Sequence, residues 1–80
     1  MSNAAKLFDQ MRRNPRDWRI EDLRIVAGRF GLLIEQGKGS HVKFHHPAGR
    51  MFVVVPARRP VKDIYVRQLV KLIGEIQGST

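Results

Sequence analysis

Three short segments typical of β-strands follow one another in the middle of the chain, and only turns separate them. Gly37-Lys38-Gly39 and Pro47-Ala48-Gly49-Arg50 have the composition of those turns. Connections this short cannot carry a helix back across a sheet, so the strands are expected to pair as an antiparallel meander. The strands are predicted at residues 32–36, 40–46 and 51–55, with Pro56 ending the third.

Helical periodicity lies on both sides of these strands. Asn3 can cap a first helix, and Asn14 before Pro15 ends it, because the residue before a proline is disfavoured in the helical region. Gly31 follows the last turn of a second helix. The helices are predicted at residues 3–13, 20–30 and 63–76, with a frayed tail from Gly78 onward. This order predicts an α+β fold with the helices on one face of a three-stranded sheet.

Apolar side chains in the last helix are assigned to the sheet side. The basic residues Lys62, Arg67 and Lys71 are expected to face away. Trp18, in the linker between the first two helices, is expected to be a half-buried packing residue, with base stacking as the alternative. The apolar set of the last helix is Ile64, Leu69, Leu72, Ile73 and Ile76.

The basic charge is concentrated in the second half of the chain. The 80 residues carry a formal net charge of +8, and the segment from Gly37 to Lys71 accounts for +7 of it. Such a field suits the phosphate backbone of a nucleic acid, and an acidic protein partner is the alternative. Absence of cysteine fits a cytoplasmic location, and no run approaches the roughly 20 apolar residues of a membrane span.

His41 is the candidate for chemistry. Strand alternation places Val42 and Phe44 toward the helices and leaves His41, Lys43 and His45 on the open face. An imidazole can move a proton at a ribose 2′-OH or at a leaving oxygen, and Lys43 can stabilise phosphoryl charge. The alternative is that His41 is only a polar residue at the start of a strand.

The turn before His41 also has two interpretations. Gly37 and Gly39 can simply supply positive φ angles, or they can admit a nucleic-acid backbone to N–H groups and the Ser40 hydroxyl. The segment is not a Walker motif, because it lacks the Gly-Lys-Ser/Thr ending and no helix follows. Ser40 and His41 are adjacent on a strand and point to opposite faces, which argues against a hydrolase pair.

The histidines do not predict a metal site, and no cofactor is expected. His41 and His45 share a face but stand about 13 Å apart by strand rise, too far for one ion. Arg58 and Arg59 lie in a loop between two prolines, where they either hold a nucleic-acid backbone or are merely solvated. Tyr65 either hydrogen-bonds at the site or covers the core. The predicted phosphate-binding residues are Lys38, Gly39, Ser40, Lys43, His45, Arg58, Arg59, Lys62 and Arg67.

The segment Gly39-Ser40-His41-x-x-Phe44, followed by Pro47, by Val55-Pro56 and by a basic amphipathic helix, resembles the HicA (YcfA-like) toxin family. The resemblance covers roughly residues 20 to 76. It implies a fold like the double-stranded-RNA-binding domain and a ribonuclease acting on mRNA, with His41 as the catalytic residue. It also implies a HicB antitoxin as partner.

Two features depart from the family pattern. Residues 1–19 form an extra helix and linker before the core at residues 20–80, as in a longer subgroup, although the whole is expected to be one domain. In addition, many members have a histidine after Val-Pro-x, where this chain has Arg58. Arg58 would then act as a charge stabiliser.

Three functions therefore remain open. The first is the toxin of a type II toxin–antitoxin system, a metal-independent endoribonuclease that uses His41. The second is a non-catalytic RNA- or DNA-binding module with the same basic face. The third is a protein-interaction domain whose basic face docks an acidic partner.

Overall fold

A computed structural model describes residues 4–78, with side chains described as far as Ile76. The predicted order of elements is confirmed. Asn3 and the end of the tail lie outside the described residues. The elements are α1 (Ala4–Arg13), α2 (Ile20–Arg29), β1 (Leu33–Gln36), β2 (His41–His45), β3 (Phe52–Pro56) and α3 (Asp63–Gly78).

The sheet is an antiparallel meander with β2 in the centre. Ile34 pairs with Phe44 between β1 and β2, and Val42 pairs with Val55 between β2 and β3. His41 pairs with Pro56, so Pro56 is the last residue of β3 rather than the residue that stops it. The prediction at this point was wrong by one position. Proline fits there because the end of a strand tolerates a missing N–H donor.

All three helices contribute to one hydrophobic core on one face of the sheet. Phe8 and Met11 of α1 belong to it together with Leu23 of α2 and Leu69 of α3. The sheet contributes alternate residues of its two longer strands, as the period of two requires. These sheet residues are Val42, Phe44, Val53 and Val55.

The last helix corrects the sequence analysis at its start and at its end. Ile64 was assigned to the sheet side, but its side chain is 54% exposed, whereas the neighbouring Val66 is fully buried. Leu69, Leu72 and Ile73 are buried as predicted. The helix continues through Gly78, which was predicted to begin the tail.

The linker between α1 and α2 is held against the loop before α3. The backbone of Trp18 forms an isolated antiparallel bridge with Val61, in which the Val61 N–H donates to the Trp18 carbonyl at 2.8 Å. The Trp18 ring is half-buried against the core, and its Nε1–H donates to the Asn14 carbonyl at 2.7 Å. Trp18 therefore connects the linker to the loop before α3. Within residues 4–78 no helix is long and apolar enough to cross a membrane.

Candidate functional site

His41 begins β2, directly after the glycine-containing turn, and its side chain is exposed. Its Nδ1 lies 3.4 Å from the Lys38 carbonyl oxygen. A carbonyl oxygen can only accept a hydrogen bond, so this contact favours the tautomer with the proton on Nδ1. The lone pair of Nε2 is then left to take a proton from a substrate.

The backbone of His41 is held by contacts that the sequence analysis did not anticipate. The His41 carbonyl accepts hydrogen bonds from the Gly37 N–H at 2.8 Å and from the Gln36 Nε2 at 3.2 Å. The Gln36 Oε1 in turn accepts from a guanidinium nitrogen of Arg24 at 2.6 Å. No motif in the sequence connects Arg24 with Gln36, since they lie on different elements and meet only in the folded chain.

A shallow pocket of about 280 Å³ opens beside His41. Three elements converge there because His41 pairs with Pro56, so the loop after β3 begins next to the imidazole. The Ala57 N–H donates to the Ser40 carbonyl and fixes that loop to the start of β2. The pocket is lined by Ser40, His41, Pro56, Arg58, Lys62 and Tyr65, and we refer to it as the His41 pocket.

The lining of the His41 pocket combines a proton-transferring group with cations and hydroxyls. Arg58 and Lys62 are exposed, and among the described residues neither has a carboxylate within 4.0 Å. The lining contains no acid. A phosphoryl group can therefore receive charge-assisted hydrogen bonds from both cations while the imidazole reaches an adjacent hydroxyl. Tyr65 lines the pocket and also packs against the core, so it meets both alternatives that the sequence left open.

Lys43 and His45 lie on the predicted open face but do not line the His41 pocket. The Lys43 ammonium lies 4.7 Å from the centre of the Phe52 ring, a cation–π contact. The His45 Nε2 lies 2.9 Å from the Glu35 Oε1. Alternation places Lys43 roughly 7 Å along the strand from His41, and Phe52 attracts its ammonium. Arg58 and Lys62, rather than Lys43, are thus brought together with His41.

The two glycines of the turn serve different purposes. Gly39 has a φ of +64°, the left-handed conformation that was one of the two interpretations of this turn. Gly37 does not share it. A Cβ atom at Gly37 would lie 3.2 Å from the His41 carbonyl oxygen, so here the absence of a side chain lets the turn approach the strand closely.

The remaining predicted phosphate-binding residues are spread around the His41 pocket. Arg59 lies 3.9 Å from Glu21 and Arg67 lies 3.9 Å from Asp63, and these are exposed pairs of small energetic value. Lys38 is exposed at the turn and contributes its carbonyl oxygen to the His41 contact. Among the described residues, no group of three His, Asp or Glu side chains converges on one point.

No family model, curated protein or solved structure matches this chain.

Proposed function

We propose that this protein is a metal-independent endoribonuclease, the mRNA-cleaving toxin of a HicA-like toxin–antitoxin pair that acts in the cytoplasm. The observation that carries the proposal is the His41 pocket, where one imidazole lies with Arg58, Lys62 and two hydroxyl groups. All the residues that line the pocket belong to the basic segment from Gly37 to Lys71. A HicB-like antitoxin is the proposed protein partner.

The proposed chemistry is an attack by the ribose 2′-OH on the adjacent phosphorus. His41 takes the 2′-OH proton, the O2′–P bond forms, the bond from phosphorus to the 5′ oxygen breaks, and that oxygen takes a proton from a water molecule. Arg58 and Lys62 hold the non-bridging oxygens and balance their growing negative charge. The products are a 2′,3′-cyclic phosphate and a 5′-hydroxyl. The side chains that line the pocket supply the base and the two charge stabilisers.

The arrangement of elements also supports the proposal. From α2 onward the order is helix, three antiparallel strands, helix, with both helices on one face of the sheet. This is the order expected for a fold like the double-stranded-RNA-binding domain. Arg58 occupies the position where many HicA-like chains have a second histidine, and it lines the His41 pocket. We assign it the role of charge stabiliser.

Induced expression in a bacterial host tests the toxin assignment. Expression of the wild-type chain is expected to arrest growth and to degrade mRNA, and the His41→Ala variant is expected to do neither at equal protein level. His46→Asn is the matched control, since an asparagine can still accept the hydrogen bond that the Ala48 N–H donates to the His46 Nδ1 at 2.9 Å. Growth arrest with intact mRNA would instead indicate a binding module.

A further inference from the structure

A second cavity of about 560 Å³ lies directly beside the His41 pocket. The two share Arg58 and Lys62, which therefore stand between them. The far side of the second cavity is built by the linker between α1 and α2, which precedes the segment that resembles HicA. The cavity is lined by Arg16, Asp17, Arg58, Arg59, Pro60, Val61, Lys62 and Asp63.

The linker is a fixed wall of this cavity. The Arg16 N–H donates to the Asn14 Oδ1 at 3.2 Å, which closes a local turn. Trp18 then accepts the hydrogen bond from the Val61 N–H, and Val61 is 2% exposed. Because the linker is anchored at Trp18, Arg16 is held beside the loop that carries Arg58 and Arg59.

The charges that line the second cavity suit an RNA strand better than an acidic polypeptide. The lining contains four cationic side chains and only two carboxylates, those of Asp17 and Asp63. Among the described residues, Arg16, Arg58 and Lys62 have no carboxylate within 4.0 Å and can bind a phosphate. The carboxylates can accept hydrogen bonds from ribose hydroxyls, whereas the ionised side chains of an acidic peptide have no hydrogen to donate to them.

We infer that the second cavity is a subsite for the phosphate and ribose of a nucleotide next to the cleaved bond, with Arg16 as a phosphate ligand. This inference rests on the proposed function, because the His41 pocket defines where the cleaved bond lies. It makes the linker part of the substrate-binding surface. It also predicts that RNA follows one direction from His41, across Arg58 and Lys62 toward Arg16.

The test measures binding of a fluorescent eight-nucleotide single-stranded RNA in the His41→Ala background, so that cleavage does not interfere. Kd is measured by anisotropy over a series of salt concentrations. Adding Arg16→Ala is expected to raise Kd about tenfold at low salt and to lower the slope of log affinity against log salt by about 0.7, the value for one lost phosphate contact with a single strand. Arg16→Lys is expected to restore most of the slope.

Arg29→Ala is the matched control. Arg29 is an exposed arginine in the last turn of α2, at the opposite end of that helix from the Glu21 that pairs with Arg59. The Arg29→Ala substitution removes the same charge from the chain as Arg16→Ala does. Equal effects of the two substitutions on Kd and on its salt dependence would overturn the subsite. An effect of Arg16→Ala on binding of polyglutamate but not of RNA would also overturn it. Arg16→Ala could lower the slope of log affinity against log salt as predicted while the wild-type chain fails to cleave RNA. That result would support the subsite and contradict the ribonuclease proposal.

Discussion

Gly39 sets the direction in which the chain enters β2 and so places His41. Its φ of +64° is a conformation that residues with a Cβ atom adopt at a cost. Within the part of the chain that the structure describes, no atom beyond the two adjacent residues lies within 4 Å of where that Cβ would be. The cost of a substitution there is therefore conformational and not steric.

Gly39→Ala is expected to lower the free energy of unfolding by about 1 kcal/mol, because alanine disfavours positive φ. Gly39→Asn is expected to cost less, since asparagine tolerates that region. Urea unfolding followed by circular dichroism measures both. An alanine variant as stable as the wild type, or an asparagine variant less stable than the alanine variant, would contradict this account of the turn.

Single residues also show the limit of reasoning from sequence at the site. Residue type and strand alternation made His41 one candidate with a structural alternative, and the resemblance of its motif selected it. Arg58 and Lys62 were predicted from their charge. The structure places all three in one pocket. Arg16 was not identified, because nothing in its local sequence shows that Trp18 pairs with Val61. Contacts between distant segments depend on the packing of the whole chain, which local patterns do not encode.

At the scale of elements, helices and strands follow the local sequence to within about two residues at most ends. The last helix shows where this reasoning failed and how it could have succeeded. Ile64 is apolar, but its neighbours on the same helical face, three, four and seven residues on, are the polar Arg67, Gln68 and Lys71. Val66 lies on the face of Leu69 and Ile73 and is buried with them. Shared faces, rather than hydrophobicity alone, decide burial.

Val66→Ala is expected to destabilise the protein by about 2 kcal/mol, the sum of the lost burial of two methyl groups and a residual cavity. Ile64→Ala removes more carbon atoms from the same helix, yet it is expected to change stability by less than about 0.5 kcal/mol because the side chain is exposed. Unfolding midpoints in urea provide the comparison. Similar losses in the two variants would contradict the assignment of faces in α3.

On the scale of the whole molecule, α1 belongs to the same core as the sheet and the other helices. Phe8 and Met11 are 6% and 1% exposed, and the Phe8 ring centre lies 4.9 Å from that of Phe30, the residue that follows α2. The segment before residue 20 was described from its sequence as an extension. In the structure it covers core side chains that would otherwise face water.

Met11→Ala is therefore expected to lower the free energy of unfolding of the entire chain by about 2–4 kcal/mol, as for other buried methionines. Fluorescence of Trp18 and far-ultraviolet circular dichroism should report one coincident transition. Gln10→Ala, an exposed change on the same helix, is the control and is expected to have little effect. A Met11→Ala variant whose circular dichroism midpoint is unchanged would show that α1 does not contribute to the cooperative unit.

The concentration of positive charge from Gly37 to Lys71 and the His41 pocket within that segment lead to one central claim, that His41 cleaves RNA without a metal ion. The direct test incubates the purified chain with a labelled RNA in excess EDTA and identifies the product ends. We predict fragments ending in 2′,3′-cyclic phosphate, and a cleavage rate about 10²- to 10⁴-fold lower for a folded His41→Ala variant, the range for loss of a general acid or base. Cleavage by His41→Ala at the wild-type rate, or no cleavage by the wild-type chain in EDTA, would contradict the claim.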